Sequence, residues 1–300
     1  MCDPVQPGLN DGNGADAQTG TGDGTIVMTT GQDLIRLALW AAQSGAAGLD
    51  AADQALMISA VQMNVIERLT PSQRGRVLGR ALMSPYPVVF FTALRDCAGL
   101  RRLLPELDAL FGVPQLADSH EPLDVGEHQL RVFAETARRN APLAVRFAAL
   151  AHKIGKGGTP SGLWPSHVGH EARGAILLAR LAERITLPAD ALDLAALTIA
   201  ECDRVHRSSD MRAGAIAALL ERVQAETRPE RFERLLNVCL CDYAAYPGHG
   251  EADYAQAPRM HRALAAYLAV REPAEPDTLL RARATAIARA ALRAERQPRR

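Results

Sequence analysis

Apolar residues recur three and four positions apart over most of the chain, in stretches near 33–43, 50–69, 71–83, 87–97, 126–139, 143–153, 167–184, 189–202, 210–224, 229–244, 256–270 and 277–296. That spacing lines one face of an α-helix and buries it against a neighbour. No sustained alternation of the kind a half-buried strand needs interrupts it. The joints are short and carry helix-stopping residues: Ser84-Pro85-Tyr86-Pro87, Gly112-Val113-Pro114, Gly155 to Pro165, Leu187-Pro188 and Pro247-Gly248. Starts are marked as well. Thr70-Pro71-Ser72-Gln73 reads as a capping box with proline at the first helical position, Asp124 with Glu127 opens a second helix, and Pro229 opens a third. The pattern predicts an all-α fold, a helical bundle with short loops.

Residues 1–30 break the pattern, with glycine, Asn, Asp, Thr and Gln and few large apolar groups. Such a segment buries too little surface to offset its ordering entropy and is expected to be a disordered tail. The expected division is then a smaller helical neck-like segment over 31–115, a main helical domain over 116–250, and a C-terminal helical tail over 251–300.

Charge and cysteine content narrow the function classes. The 34 basic and 34 acidic residues cancel, so any binding to nucleic acid must come from a local patch. Cys2, Cys97, Cys202, Cys239 and Cys241 lack the spacing of a secreted disulfide framework, and Cys239 with Cys241 makes a poor zinc pair without partners. They read as reduced thiols. No apolar run reaches the roughly 18 residues of a membrane span, and no signal peptide is evident at the N-terminus, so a cytoplasmic protein without membrane contact is expected.

The histidines carry the chemistry. His128 lies early in one predicted helix, His152 at the end of the next, His167 and His170 open another, and Asp242 is late in a further one. Imidazoles and a carboxylate converging from separate helices are how a bundle builds a metal site. Any one of these histidines, taken singly, is more readily a capped or solvated side chain, and His120, His206, His249 and His261 are assigned that role.

The run Arg146-Phe147-Ala148-Ala149-Leu150-Ala151-His152-Lys153-Ile154-Gly155-Lys156-Gly157 resembles the signature of the HD phosphohydrolase superfamily, a helix ending in a His-Asp pair followed by an apolar residue, Gly and Lys. Leu94-Arg95-Asp96-Cys97, with Leu103 through Pro114, resembles the neck of bacterial CCA-adding tRNA nucleotidyltransferases, and Leu163-Trp164-Pro165-Ser166-His167-Val168-Gly169-His170-Glu171 resembles the segment that follows the HD pair there. The likeness covers roughly residues 75–250. It implies an HD-domain-like bundle and a tail that, in some members, is a metal-dependent hydrolase of 2′,3′-cyclic nucleotides, 2′-nucleotides and phosphate. The implied ligands are His128, His152, position 153 and Asp242, with Lys156 facing the substrate phosphate. A divalent ion so held lowers the pKa of bound water and neutralises phosphoryl charge.

Position 153 departs from that pattern. It is lysine, which has three donors and no lone pair for a metal, and at about 4 Å its charge repels a divalent ion. Lys153 and Lys156 are the only lysines in an otherwise arginine-based chain. Lys153 is expected to plug the site by donating to Asp242 and the imidazoles; the alternative is that it reaches solvent from the helix end. The resemblance thus implies a degenerate HD site with no cofactor. Should His167 and His170 rebuild the site instead, Mg, Mn or Ni is the expected ion and the chain an active phosphohydrolase. No Asp-x-Asp pair and no Gly-rich triphosphate loop are present, so this chain is not expected to add nucleotides on its own. Its expected partners are tRNA or other RNA, a second copy of itself, or a separate nucleotidyltransferase head laid on the helices before residue 115. Arg281, Arg289, Arg293, Arg296 and Arg300 share one face of the last predicted helix and form the candidate RNA-backbone stripe, with a solvated face as the plain alternative.

Overall fold

The computed structural model describes residues 31–45, 49–116, 122–271 and 276–296. The expected tail over 1–30, His120 and Arg300 lie outside the described residues. The fold is all-α. The helices are α1 (Gly31–Ser44), α2 (Ala51–Gln62), α3 (Pro71–Leu82), α4 (Pro87–Asp96), α5 (Leu100–Leu103), α6 (Pro105–Asp108), α7 (Val125–Arg138), α8 (Leu143–Ala151), α9 (His170–Arg184), α10 (Ala189–His206), α11 (Ala213–Arg222), α12 (Pro229–Ala244), α13 (Gln256–Leu268) and α14 (Pro276–Arg296). Between α6 and α7 two three-residue strands, β1 (Pro114–Leu116) and β2 (Pro122–Asp124), pair antiparallel with Pro114 opposite Asp124.

The sequence caps do their expected work. Thr70 Oγ1 accepts from the Gln73 amide at 3.3 Å while Gln73 Oε1 accepts from the Thr70 amide at 2.8 Å, closing the box at α3. Asp124 Oδ1 accepts from the Glu127 amide at 2.9 Å to start α7, and its other oxygen takes the Gly112 amide. Each such cap stabilises by about 1 kcal/mol. Two helices differ from expectation. The helix predicted over 50–69 stops at Gln62 because Asn64 turns to φ 54°, a left-handed conformation that a helix interior does not accommodate. The helix predicted from 167 starts at His170, since His167 (φ 54°) and Gly169 (φ 76°) form a left-handed entry to it.

α7, α8, α10 and α12 pack on one another and make the central bundle. α1 lies on α2, α3 and α4, and an edge-on contact of Phe91 with Phe133, ring centres 5.3 Å apart, joins that group to α7. α14 closes the far end against α11 and α13. One continuous apolar core runs through all of these.

Two local features hold the centre of the bundle in place. Buried Arg146 donates to the Ala141 and Leu82 carbonyls, both at 2.8 Å, tying α8 to the end of α3. At the other end of α8, Gly155 sits in the short 3-10 turn Ile154–Lys156, where a Cβ would lie 1.9 Å from the His170 carbonyl oxygen. Only glycine lets that turn rest on the start of α9.

Candidate functional site: a closed histidine–carboxylate centre

The central bundle converges on Asp242. α7 contributes His128, whose apolar face is set by the packing of Leu130, Val132 and Phe133 on either side. His152 and Lys153 follow the last turn of α8, an almost wholly apolar helix buried along its length. Asp242 comes from the last turns of α12. All four side chains are essentially inaccessible, at 0–3% of full exposure.

His128 Nε2 donates to Asp242 Oδ1 at 2.7 Å. The Lys153 ammonium donates to the same oxygen and stands 3.2 Å from His128 Nε2. His152 Nδ1 donates to the Ala149 carbonyl at 2.8 Å, which turns its Nε2 lone pair inward, 3.4 Å from Asp242 Oδ1 and without a hydrogen-bond partner. Tyr246 walls the centre: its ring lies 4.2 Å from that of His128 and 5.5 Å from the Lys153 nitrogen, close enough for a cation–π attraction. Lys153 therefore does not reach solvent; it sits where the ligand set would aim.

Charges follow this geometry. Burial opposes the charge on Lys153, but Asp242 more than compensates and raises its pKa above the ordinary value. Burial alone would raise Asp242; Lys153, then His152 and His128, hold it well below the usual carboxylate range. Burial and the neighbouring Lys153 push His128 down to about 4, and burial lowers His152 as well. The centre at neutral pH is thus an ion pair of Lys153 and Asp242 flanked by two neutral imidazoles.

The inward, unpartnered His152 Nε2 is what a metal ligand would present, so the remaining donors keep a ligand arrangement. The set nevertheless does not fit a divalent ion. At an effective dielectric of about 20, a dication gains roughly 8 kcal/mol from a carboxylate about 4 Å away and loses the same to an ammonium at that distance. Lys153 cancels Asp242, and two neutral imidazoles do not supply the anionic ligand that is missing.

The other predicted residues fall around this centre. Lys156 donates to Gln115 Oε1 of β1 at 2.9 Å, and burial together with Lys153 lowers it to about 8. His167 and His170 are not adjacent on a helix as expected. His167 precedes α9 and its Nε2 donates to the Pro114 carbonyl at 2.9 Å, whereas His170 lies 3.7 Å from Asp203 Oδ2 and 3.5 Å from Glu171 Oε2. Among the described residues, His170, Glu171 and Asp203 are one group whose ligand atoms lie within 4.8 Å of one another. Burial would raise Asp203, but Lys156 and His170 hold it below its ordinary value.

The sequence leaves His206 among the capped or solvated histidines; the structure instead half-buries it and bonds it to the centre. Its Nε2 donates to Asp242 Oδ2 at 3.0 Å and its Nδ1 to the Tyr254 hydroxyl at 3.0 Å. Burial opposes its charge, yet Cys202 and Asp242 outweigh that and push it up to about 10. Cys239 likewise has the partner that Cys241 could not provide, Cys202 on α10 at 3.5 Å, while Cys241 turns toward Asn237. The available signal was the pair of helical spacings, Cys202-x3-His206 and Cys239-x2-Asp242; that α10 and α12 face each other is a tertiary fact.

On α14, Arg281, Arg289 and Arg293 are exposed, and Arg296 belongs to the last turn of the same helix. Arg283, between them, is buried: it donates to Tyr267 Oη at 2.7 Å and Glu226 Oε2 at 2.6 Å, with its guanidinium 4.0 Å above the Tyr267 ring. No helix among the described residues is long and apolar enough to cross a membrane.

Fold and site together define an all-α protein with a histidine–carboxylate centre filled by a lysine. No protein-family model matches the chain. It is 42% identical over 233 residues to the multifunctional CCA protein of Leptothrix cholodnii, covering 78% of this chain and 56% of that one. Against the multifunctional CCA protein of Verminephrobacter eiseniae it is 44% identical over 219 residues, 73% of this chain and 53% of the relative, and against that of Burkholderia pseudomallei 39% identical over 268 residues, 86% and 65%. The chain is a relative of the multifunctional CCA proteins. It spans about half the length of these curated relatives.

Proposed function

We propose that the chain is an HD-type helical module, derived from the tail of a CCA-adding enzyme, whose phosphohydrolase centre has been shut by Lys153 and whose remaining role is to bind tRNA or another RNA, or to act as a scaffold, in the cytoplasm. The observation that carries this reading is the buried Lys153 ammonium, donating to Asp242 Oδ1 and 3.2 Å from His128 Nε2. Without an ion, no residue of the centre activates a water: Asp242 is neutralised by its lysine, and His128 and His152 lie too deep for a substrate to touch. We keep the division into neck, main domain and tail on the same reading, with the exposed arginines of α14 as the RNA contact. Large apolar side chains left exposed on the first four helices and the turns between them, among them Trp40, Ile58 and Tyr86, suit a second copy or a nucleotidyltransferase head.

Hydrolysis of a 2′,3′-cyclic nucleotide in the presence of Mg2+, Mn2+ or Ni2+ tests the reading. The unaltered chain is expected to show no turnover above the buffer, and Lys153→Asp to gain Mn2+ affinity measurable by electron paramagnetic resonance. Turnover by the unaltered chain that is stimulated by these ions and lost on chelation overturns it. The group His170, Glu171 and Asp203, beside Lys156, favours a second reading, an active phosphohydrolase with its ion moved to the start of α9. Under that reading Asp203→Asn abolishes turnover and Lys153→Asp leaves it unchanged.

A further inference from the structure

α10 and α12 meet behind the Asp242 carboxylate and bring together Cys202, His206 and Cys239, of which His206 also bonds Asp242 Oδ2. Cys202 and His206 stand one turn apart on α10, and Cys239 faces them from α12. Cys202 Sγ lies 3.5 Å from Cys239 Sγ and 3.4 Å from His206 Nε2, and the three ligand atoms are all within 4.8 Å of one another. A tetrahedral ion bound by sulfur at about 2.3 Å and nitrogen at about 2.0 Å keeps its ligand atoms roughly 3.5–3.8 Å apart. These two separations are close to those of donors gathered around one ion.

Two further features support the same assignment. The Tyr254 hydroxyl, 3.0 Å from His206 Nδ1, is the outer hydrogen bond that histidine ligands characteristically have, and Nε2, which donates to Asp242 Oδ2 without an ion, gives up that proton to ligate. Charge balance differs from that of the closed centre. Two thiolates from Cys202 and Cys239 cancel the charge of a dication, and the proton that leaves His206 Nε2 removes a cation, so the ion adds no net charge to an interior in which Lys153 lies near Cys202. Asp242 divides the two environments: Oδ1 is taken by Lys153 and His128, and Oδ2 faces His206.

We propose that Cys202, His206 and Cys239 form a binding site for a single thiophilic divalent ion, zinc by its ligand set, which cross-links α10 to α12. Three protein donors leave a fourth position for a water. Both cysteines are buried, while the His206 side chain keeps 23% of its exposure, so the ion enters from the His206 side. The site takes none of His128, His152, Lys153 or Asp242 as a ligand, although it borders them through His206, and it stands whether or not the functional reading above does.

The full chain, purified under reductant, is loaded separately with Zn2+ and Co2+ and dialysed. Expected are one zinc retained per chain by elemental analysis, two sulfur scatterers at the zinc absorption edge, a thiolate-to-metal charge-transfer band with Co2+, and an unfolding temperature that rises with zinc. Cys239→Ser is expected to remove the charge-transfer band. Should that variant not fold, the sulfur count in the unaltered chain decides the matter. No retained zinc, a retained ion with only nitrogen and oxygen neighbours, or a Cys202–Cys239 disulfide that forms without reductant and excludes zinc would each overturn the proposal.

Discussion

Lys153 at the centre of the bundle and Arg289 on α14 carry the same formal charge in opposite surroundings. Lys153 is 2% exposed and has its counter-charge within hydrogen-bond distance; Arg289 stands in solvent on a helix face with Arg281 and Arg293. In the interior a charge is tolerated only with a fixed partner, so its presence is a statement about what else is kept out. At the surface a charge costs little and acts at a distance, so its presence bears on what polyanion is drawn in. The buried cation bears on stability and on what the interior excludes, the exposed ones on what the surface attracts.

The sharpest way to break this contrast is Asp242→Asn. Removing the carboxylate leaves Lys153 and His206 as unpaired buried cations, and a loss of about 3–5 kcal/mol is expected from urea unfolding. A loss below about 1 kcal/mol would mean that Lys153 does not depend on Asp242. Arg283 sharpens the comparison from within α14, because among the described side chains of that helix it is the buried and paired arginine. Arg283→Gln is expected to cost about 1–3 kcal/mol by stranding the Tyr267 and Glu226 partners.

Acid probes the neutral imidazoles. His128 titrates near 4 in the folded chain against 6.5 unfolded, so the unfolded chain binds the proton first as pH falls. Its contribution is complete above 6.5 and is lost on going down toward 4, about 2 kcal/mol between pH 7 and 5 at 1.36 kcal/mol per pH unit, with His152 adding in the same direction. His206 has the opposite sign, raised to about 10, so its contribution is complete below 6.5 and fades as pH rises toward 10. Stability measured by denaturant across pH 5 to 9 should therefore peak near neutrality; a steady rise or fall through the range would contradict the assigned charge states.

The smallest expected stability effect belongs to the exposed arginines. Arg289→Gln with Arg293→Gln should leave unfolding within about 0.5 kcal/mol of the original. If those side chains contact phosphates, the same pair lowers the slope of log affinity for tRNA against log salt by roughly 1.4–1.8. An unchanged slope, read by fluorescence anisotropy at several salt concentrations, would strip α14 of an RNA role.

Helices and their caps were legible in the sequence because they rest on local physics. Thr70-Pro71-Ser72-Gln73 and Asp124 state their own geometry within four residues. The one-turn helices α5 and α6 and the strand pair were not legible, since three or four residues are too few to show a period. His128, His152 and Asp242 were reached through family resemblance, and the structure brings them together. His206, Cys202 and Cys239 escaped because their meaning depends on which helix faces which. Lys153 illustrates both cases: its chemistry was plain from its identity, while its depth came from the apolar length of α8 and the contact at Gly155.

The supports at the two ends of α8 have a mechanical consequence. Arg146 pins its first turns to the Ala141 and Leu82 carbonyls, and Gly155 seats the turn beyond its last residues on the backbone of α9. With α8 held at both ends, opening that admits small solutes to the interior is expected at the partly exposed His206 side, between α10 and α12, rather than along α8. Amide exchange would register this as fast opening along the His206 side and slow opening along 143–151, with the segment bearing Lys153 the stiffest part of the bundle.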